Sequence, residues 1–504
     1  MSKTTLHADV AVIGAGFGGS LTALLCERIG LSVVLIERGA HPRFTIGESS
    51  TPMADLILAD LAERYDLPRL APLTKYGTWR RTYPGMTCGL KRGFSYFHHH
   101  AGEPFAPRSD HANELLVTAS PNDEQSDTHW FRADVDHFFV SEVRSAGIPY
   151  FDRTEIERIR EGETWHITAR RGADPVEIKS RFVVDASGVG GALRRALDLD
   201  DSPNGIRTNS RTVYGHFENV RLWEDVYDEA APGDRSTGHH PFPCDAAALH
   251  HVFDGGWMWV LRFDNGITSA GFVLDATRDI LDRDWDTMAA DEAWASLLGR
   301  FPSIARQFEN ARAIRSLTKT RRQQRACSRT AGSNWVMLPY TAGFVDPLHS
   351  PGNAFTLLGI ERLIRILSDG SNPSDRVDAL TRYEQALRRD VALLDTIIHG
   401  CFVSFAHFEL MSAYAMFYFA GAHTAELRRR DGSATPSDGF LLSHDPRFVS
   451  AVRQGHDRVC ELAASDEVSS SDLRAFQVEV ADLIEPYNQA GLCDPTKRNM
   501  YDCT

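Results

Sequence analysis

The chain has 504 residues, 42% of them hydrophobic, which is ample for a large core and long for a single domain. Its net charge of −14, with no basic tract, argues against non-specific nucleic-acid binding. Eight cysteines (Cys26, Cys88, Cys244, Cys327, Cys401, Cys460, Cys493 and Cys503) are scattered without C-x-x-C pairs, so they read as free thiols in a reducing compartment, with no metal site. No signal-peptide pattern precedes the first strand-like run, and the expected location is the cytoplasm.

The segment "ADVAVIGAGFGGSLTALLCERIGLSVVLIERG" reads as one βαβ unit. Val10 to Ile13 is a short β-branched run, long enough only for a buried strand. It leads into Gly14-Ala15-Gly16-Phe17-Gly18-Gly19, a match to G-x-G-x-x-G. A helix follows, with Leu21, Leu24, Leu25 and Ile29 on one face. A second strand, Ser32 to Ile36, ends at Glu37, eighteen residues past Gly19. Each part has a task at a dinucleotide. Gly14 permits the tight turn, Gly16 lets backbone approach a pyrophosphate, and Gly19 lets the helix pack closely on the strand. The helix N-terminus presents N–H groups to the phosphates. Glu37 would accept hydrogen bonds from a ribose 2′-hydroxyl, and its charge would repel a 2′-phosphate. Phe17 and Arg38 join the candidate cofactor-binding set.

The next stretch, "FTIGESSTPM", has too few aliphatic residues for a buried strand and too many small polar ones for a helix interior. Further on, Lys91 sits in "TCGLKRGFSYF", where Leu90, Phe94, Tyr96 and Phe97 predict a mostly buried strand or strand end. A lysine is costly there, and burial lowers its pKa. Arg92 points the other way if this is a strand. In "ALHHVFDGG", alternation sends one of His250 and His251 inward. A strand histidine bonded to backbone is the favoured reading over a base, so both stay outside the catalytic set.

Two later segments repeat the strand–turn–helix theme. In "RFVVDASGVGGALRRAL", Asp185 ends a strand and glycines open a helix, but the third glycine of a full fingerprint is missing. In "WVMLPYTAGFVDPLHSPGNAF", Asp346 enters a glycine-containing turn before a helix that starts near Asn353. One full fingerprint with two partial ones fits a single extended ligand touched along its length. FAD is such a ligand. A separate NADPH domain is not expected. Beyond these, helices are predicted at 362–367, 380–399, 402–420, 446–464 and 470–484, punctuated by the polar loops "SDGSNPSD" and "RRRDGSATPSDG". The apolar stretch from Cys401 to Ala422 is long enough to span a bilayer, but it carries His407 and Glu409, so a buried helix is expected and no membrane partner.

The chain resembles the flavin-dependent halogenases, particularly members acting on phenols and pyrroles. The match runs in the family's order through "GAGFGG", "HPRFTIGESSTP", "CGLKRGF", "WFRADVDHFF", "VVDASG", "GGWMW", "FPSIARQF" and "GFVDPLHSPG", covering residues 8 to about 365. The resemblance implies that the loop around Gly47, Glu48 and Ser49 lies against FAD and borders the route from flavin to substrate. Such a loop needs turn-formers and small polar groups. Arg132 maps to a residue against the flavin, its bland alternative being an exposed arginine in the first turn of a helix. Lys91 falls on the family's lysine, which hydrogen-bonds hypohalous acid or carries it as a haloamine toward an activated ring carbon. Asp185, Asp346, Gly352 and Asn353 join the cofactor set. Ser350, Gly352, Trp257 and Trp259 form the halide and tunnel set, and a halide ion (chloride or bromide) is the expected co-substrate. FADH2 would come from a separate NAD(P)H flavin reductase, and the substrate would be a small aromatic of secondary metabolism, of the kind met in antibiotic biosynthesis, free or carrier-bound.

Two departures stand out. The family's W-x-W-x-I-P is here Trp257-Met258-Trp259-Val260-Leu261-Arg262, and the x of its S-x-G segment is Pro351, which has no N–H to offer a halide. They leave open an FAD monooxygenase or oxidase on the same scaffold and, more remotely, a non-catalytic flavin-fold binding protein. The expected architecture is α/β. A three-layer Rossmann-like FAD-binding domain (about 5–52, 130–200 and 330–365) is interleaved with a substrate-binding sheet (about 75–120 and 205–325). A helical region, 366–504, caps the substrate pocket.

Overall fold

The computed structural model describes residues 4–201, 205–230, 236–281, 283–369, 373–435, 437–465 and 467–502. Its seven-stranded sheet is organised by the strand Thr4–Ile13. This strand pairs in parallel with Val33–Ile36 on one side and Asp174–Asp185 on the other, and Trp335–Met337 adds beyond. The register places Ile13, Ile36, Asp185 and Met337 in one row. The carboxyl ends of four parallel strands therefore line one edge, where open α/β sheets bind their ligands. Val10, Val12, Val34, Leu35, Val183 and Val184 are buried, as strands covered on both faces require. The first strand is longer than the β-branched run predicts. Asp174–Asp185 folds back on Trp165–Arg171 and offers a long edge, with which Thr4 to Ala8 also pair.

The second sheet has nine strands and is mostly antiparallel. Its body is Gly93–His99, Glu114–Thr118, Ser210–Glu218, Ala248–Phe253, Gly256–Arg262 and Thr268–Asp275. Met500–Tyr501 adds an edge strand from the far C-terminus, parallel to Glu114–Thr118. Two residues are too few to show alternation, so this strand leaves no signal in the sequence. A short ribbon, Cys88–Lys91 against Asp127–Trp130, joins the two regions, and Ser49 bridges to His129 on its flank.

The C-terminal region is helical, as expected: Gly352–Ser368, Pro373–Ser404, Phe408–Arg430, Pro446–Ala463 and Ser470–Ile484. The helix expected to start near Asn353 and the one expected at 362–367 prove to be one continuous helix. The apolar stretch 401–422 is not a single span, because the chain leaves the helix between Ser404 and Phe408. No helix among the described residues is long and apolar enough to cross a membrane. Asp445 caps one late helix, and Ser469 with Asp472 forms a capping box on the next. Seven cysteines are free thiols. Cys503, residues 370–372 of the first polar loop and Pro436 of the second lie outside the described residues.

Candidate functional site

The three fingerprint glycines are glycine for different reasons. Gly14 has φ +103°, and a Cβ there would stand 2.4 Å from the Ala186 carbonyl oxygen. A Cβ on Gly19 would lie 1.9 Å from the Gly14 carbonyl oxygen, so helix and strand could not pack. Gly16 is unlike both. Its Cβ would meet only side-chain atoms of Arg132, Asp136 and Arg43 at 3.5–3.9 Å, ordinary contact distances. The protein itself makes no demand for glycine at 16. Close approach of a ligand does.

Glu37 ends its strand with both carboxylate oxygens engaged. Oε2 accepts the Ala15 N–H at 2.9 Å and Oε1 the Gly39 N–H at 2.7 Å. Each oxygen can accept a second bond, which leaves capacity for ribose hydroxyls. Arg43 reaches back to within 3.6 Å of Glu37. Arg38 is exposed beside it.

Arg132 opens the helix Arg132–Ser145 and is buried, unlike the exposed arginine of its bland reading. Its Nη1 donates to the Ile46 and Gly47 carbonyls at 2.9 and 3.1 Å, and Nε and Nη2 grip the two oxygens of Asp136. Asp136 also receives the Phe17 N–H at 3.1 Å, and the guanidinium lies over the Phe17 ring. One bidentate pair thus ties the glycine turn, the helix and the loop at Gly47 (φ +89°) into a single unit. Glu48 is buried, and its Oε1 lies 2.8 Å from Nε2 of His216 on the second sheet. The Ser49 hydroxyl is buried without a partner.

Near the third turn, Asp346 is buried. It accepts the Ser210 hydroxyl at 2.8 Å and the Leu348 N–H at 3.1 Å, and burial pushes its carboxyl up to about 7. His349 and Ser350 both have positive φ, 64° and 58°, rare for non-glycine residues. The Ser350 N–H is already spent on Pro347. The helix starting at Gly352 leaves its first N–H groups without intrahelical acceptors, a cradle for an anion. A Cβ on Gly352 would meet nothing within 4 Å, and the buried Asn353 Nδ2 has no partner. Asp185 accepts the Ser187 N–H and hydroxyl on Oδ1 and the Leu193 N–H on Oδ2, which leaves one acceptor position on Oδ2. It shapes the second glycine turn.

Lys91 is wholly buried at the end of Cys88–Lys91. It donates to the Ser50 carbonyl and sits 4.1 Å from the centre of the Phe94 ring. Burial pulls its ammonium down to about 8, against the opposing pull of Asp127, Asp55 and Glu426. Asp127 is its direct cross-strand partner, with both carboxylate oxygens unbonded. Lys75 lies 3.4 Å from Asp55 and 3.6 Å from Asp127 and is the partly exposed member of the group. Arg92 takes the other face and pairs with Asp123. Phe94, Leu358, Tyr418, Phe419 and Glu426 line a cavity of about 70 Å³. Burial pushes the Glu426 carboxyl up to about 8.

Trp257 and Trp259 share one face of Gly256–Arg262 and are buried, Trp259 bonding Ser269. Arg262, where the family has proline, pairs with Asp245 and the Val220 carbonyl, closing the strand end. His250 is inward, stacked on Tyr96 at 4.2 Å and bonded to the Ser95 carbonyl; His251 is buried on the opposite face. Sequence reasoning did not single out Asp136, Arg43, His216, Asp127 or Asp55. Only Asp136 left a trace, as the i, i+4 partner of Arg132.

The residues present fit FAD. The open face at Gly16, the residual capacity of Glu37, the open side of Gly352 and the orphaned donors of Arg43, Ser49 and Asn353 are groups that one long polar ligand would satisfy. A family model described as FAD dependent oxidoreductase matches residues 9–331. The monodechloroaminopyrrolnitrin halogenase PrnC of Pseudomonas fluorescens is 27% identical over 456 residues, 88% of this chain and 77% of that protein. The tetracycline 7-halogenase of Kitasatospora aureofaciens is 29% identical over 415 residues, 80% and 71% of the two chains. The crystal structure of halogenase PltM superposes with a TM-score of 0.86 and 25% identity, over 97% of this chain and 99% of that one. The two relatives are both halogenases, and the chain belongs to the FAD-dependent oxidoreductase family.

Proposed function

We propose that this protein halogenates an electron-rich aromatic substrate, using FADH2, O2 and a halide, with Lys91 as the residue that directs the electrophile. The observation that carries the proposal is a fully buried amine held against Phe94, whose ring lines a largely apolar cavity. FAD, when bound and reduced, would supply the two electrons that activate O2, and O2 is the oxidant that takes halide to the level of hypohalous acid. The chain's own residues do the rest. The Arg132–Asp136 clamp holds the Gly47–Ser49 loop to the glycine turn. Gly352 and Asn353 offer first-turn N–H groups, and Ser350 a hydroxyl, to an anion. Lys91, poised near pH 8, can present either a hydrogen-bonding ammonium or a nucleophilic amine. Asp127, its cross-strand partner, places a negative charge beside the amine and opposes the loss of its proton. Glu426, largely protonated at neutral pH, can donate to a phenol or ring heteroatom in the cavity.

The substrate is a small planar ring, free or tethered to a carrier. The reductant is delivered by a separate flavin reductase, since the chain has one dinucleotide fingerprint. Pro351 and the internally bonded Ser350 N–H favour a second reading, oxygen transfer to the same substrate, because they leave fewer halide donors. Incubation with a flavin reductase, NADH, bromide or chloride and a panel of phenols and pyrroles, read by mass spectrometry, separates the two. Halogenated product that vanishes in Lys91→Ala and Lys91→Arg, with FAD still bound, is expected. Hydroxylated product formed undiminished by Lys91→Ala would establish the monooxygenase instead.

A further inference from the structure

The second sheet carries a cluster that the oxidation chemistry does not use. Glu114 opens the strand Glu114–Thr118 directly opposite Phe97, whose ring packs on Trp223, Tyr227 and His240. Phe94, an odd number of residues away, faces the cavity, so this cluster lies on the other face of the sheet. The Glu114 carboxylate meets Nδ1 of His111 on one oxygen and Nε2 of His240, at 3.1 Å, on the other; the Tyr227 hydroxyl donates at 3.1 Å. The ligand-type atoms of His111, Glu114 and His240 all fall within 4.8 Å of one another, and their side chains are 2%, 0% and 2% exposed. A buried carboxylate needs a countercharge. Among the described residues no lysine or arginine forms an ion pair with it; its only ionic partners are the two imidazoles.

Two further details suit a metal. His111 has φ 56°, a conformation rare outside glycine, and its Nδ1 lies against the Glu114 carboxylate. Its second ring nitrogen lies 3.3 Å from Nδ1 of His239, the outer hydrogen bond that fixes a ligating imidazole's tautomer.

We propose that His111, Glu114 and His240 bind a first-row divalent transition-metal ion, zinc by preference, with a water at the remaining position hydrogen-bonded to Tyr227. Two imidazole nitrogens and one carboxylate form a borderline donor set that suits zinc, and the ion adds positive charge beside a buried carboxylate that pairs with no lysine or arginine among the described residues. The ion pins the turn at His239 and His240 to the sheet edge. It serves the fold, on the face away from the cavity, and takes no part in oxidation.

The test is metal analysis of the purified full chain, followed by loading with Zn²⁺ or Co²⁺ and gel filtration. The expected result is about one equivalent per chain, visible Co²⁺ d–d bands of a low-coordinate nitrogen and oxygen site, and loss of both in Glu114→Gln and in His240→Asn. His239→Ala, which removes only the outer contact, should weaken retention without abolishing it. Chelation should lower the melting temperature of the wild type while leaving FAD affinity unchanged. A wild-type chain that neither carries nor takes up metal would overturn the proposal and leave a hydrogen-bonded histidine–glutamate cluster. Metal retained equally by Glu114→Gln and His240→Asn would also overturn it, placing the ion elsewhere, for instance at His399, His456 and Cys460.

Discussion

Lys91→Met should make the protein more stable and less useful. Burial pulls the Lys91 ammonium from its ordinary 10.5 to about 8. At about 1.4 kcal/mol per pH unit, that difference is a penalty of roughly 3 kcal/mol for the charged form in the folded state. Because the folded pKa lies below the unfolded one, the unfolded chain binds more protons between pH 8 and 10.5, and wild-type stability rises with pH across that window. Below pH 8 the full penalty applies. Methionine has a similar length, carries no charge and makes a favourable sulfur contact with an aromatic ring such as Phe94. Urea unfolding should therefore show Lys91→Met more stable than wild type by roughly 3 kcal/mol at pH 7, shrinking to about 1 kcal/mol near pH 9.5. Asp127 loses its cross-strand countercharge in the variant, which trims the gain at pH 7. The pH trend of the difference is the more secure measurement, since groups common to both proteins cancel. A variant no more stable than wild type at pH 7, or a difference that does not shrink with rising pH, would refute the assignment of Lys91 as a buried, penalised ammonium. Product assays on the same protein complete the test: stability gained should coincide with halogenation lost.

Other outcomes follow from the geometry and from the Lys91 shift. Gly16→Val should fold, by circular dichroism, yet bind FAD at least tenfold more weakly by equilibrium dialysis. Gly19→Ala should fail to fold, its Cβ being 1.9 Å from backbone, so equal folding of the two variants would contradict the roles given to these glycines. Arg132→Met strands the buried Asp136 carboxylate and should cost about 3–5 kcal/mol of unfolding free energy, with loss of FAD binding; a change under about 1 kcal/mol would mean that the clamp is idle. If the neutral amine of Lys91 is the working form, initial rates of halogenation with saturating FADH2 should climb as pH rises through about 8, and a flat profile would point to the ammonium acting as a hydrogen-bond donor.

How much of this was legible in the sequence differs from element to element. The βαβ unit, Glu37 at its end and the late helices could be read because local periodicity and glycine spacing are short-range properties. The backbone geometry at Gly14 and Gly19 is a demand that only one residue type meets. Lys91 stood out because a lysine among Leu90, Phe94 and Tyr96 contradicts its surroundings. What surrounds it could not be read. Asp127 faces it across a ribbon, Asp55 comes from a helix, and Glu426 lies more than three hundred residues away. Each of these acids, alone in the sequence, resembles a solvated charge. The same holds for His216 opposite Glu48 and for the meeting of His111, Glu114 and His240, which the cysteine count could not foresee. Sequence patterning determined which segments become strands and helices and where the dinucleotide turn lies. Only the tertiary structure decided which charges share a dry interior, because desolvation and Coulomb attraction depend on distance in space and on burial.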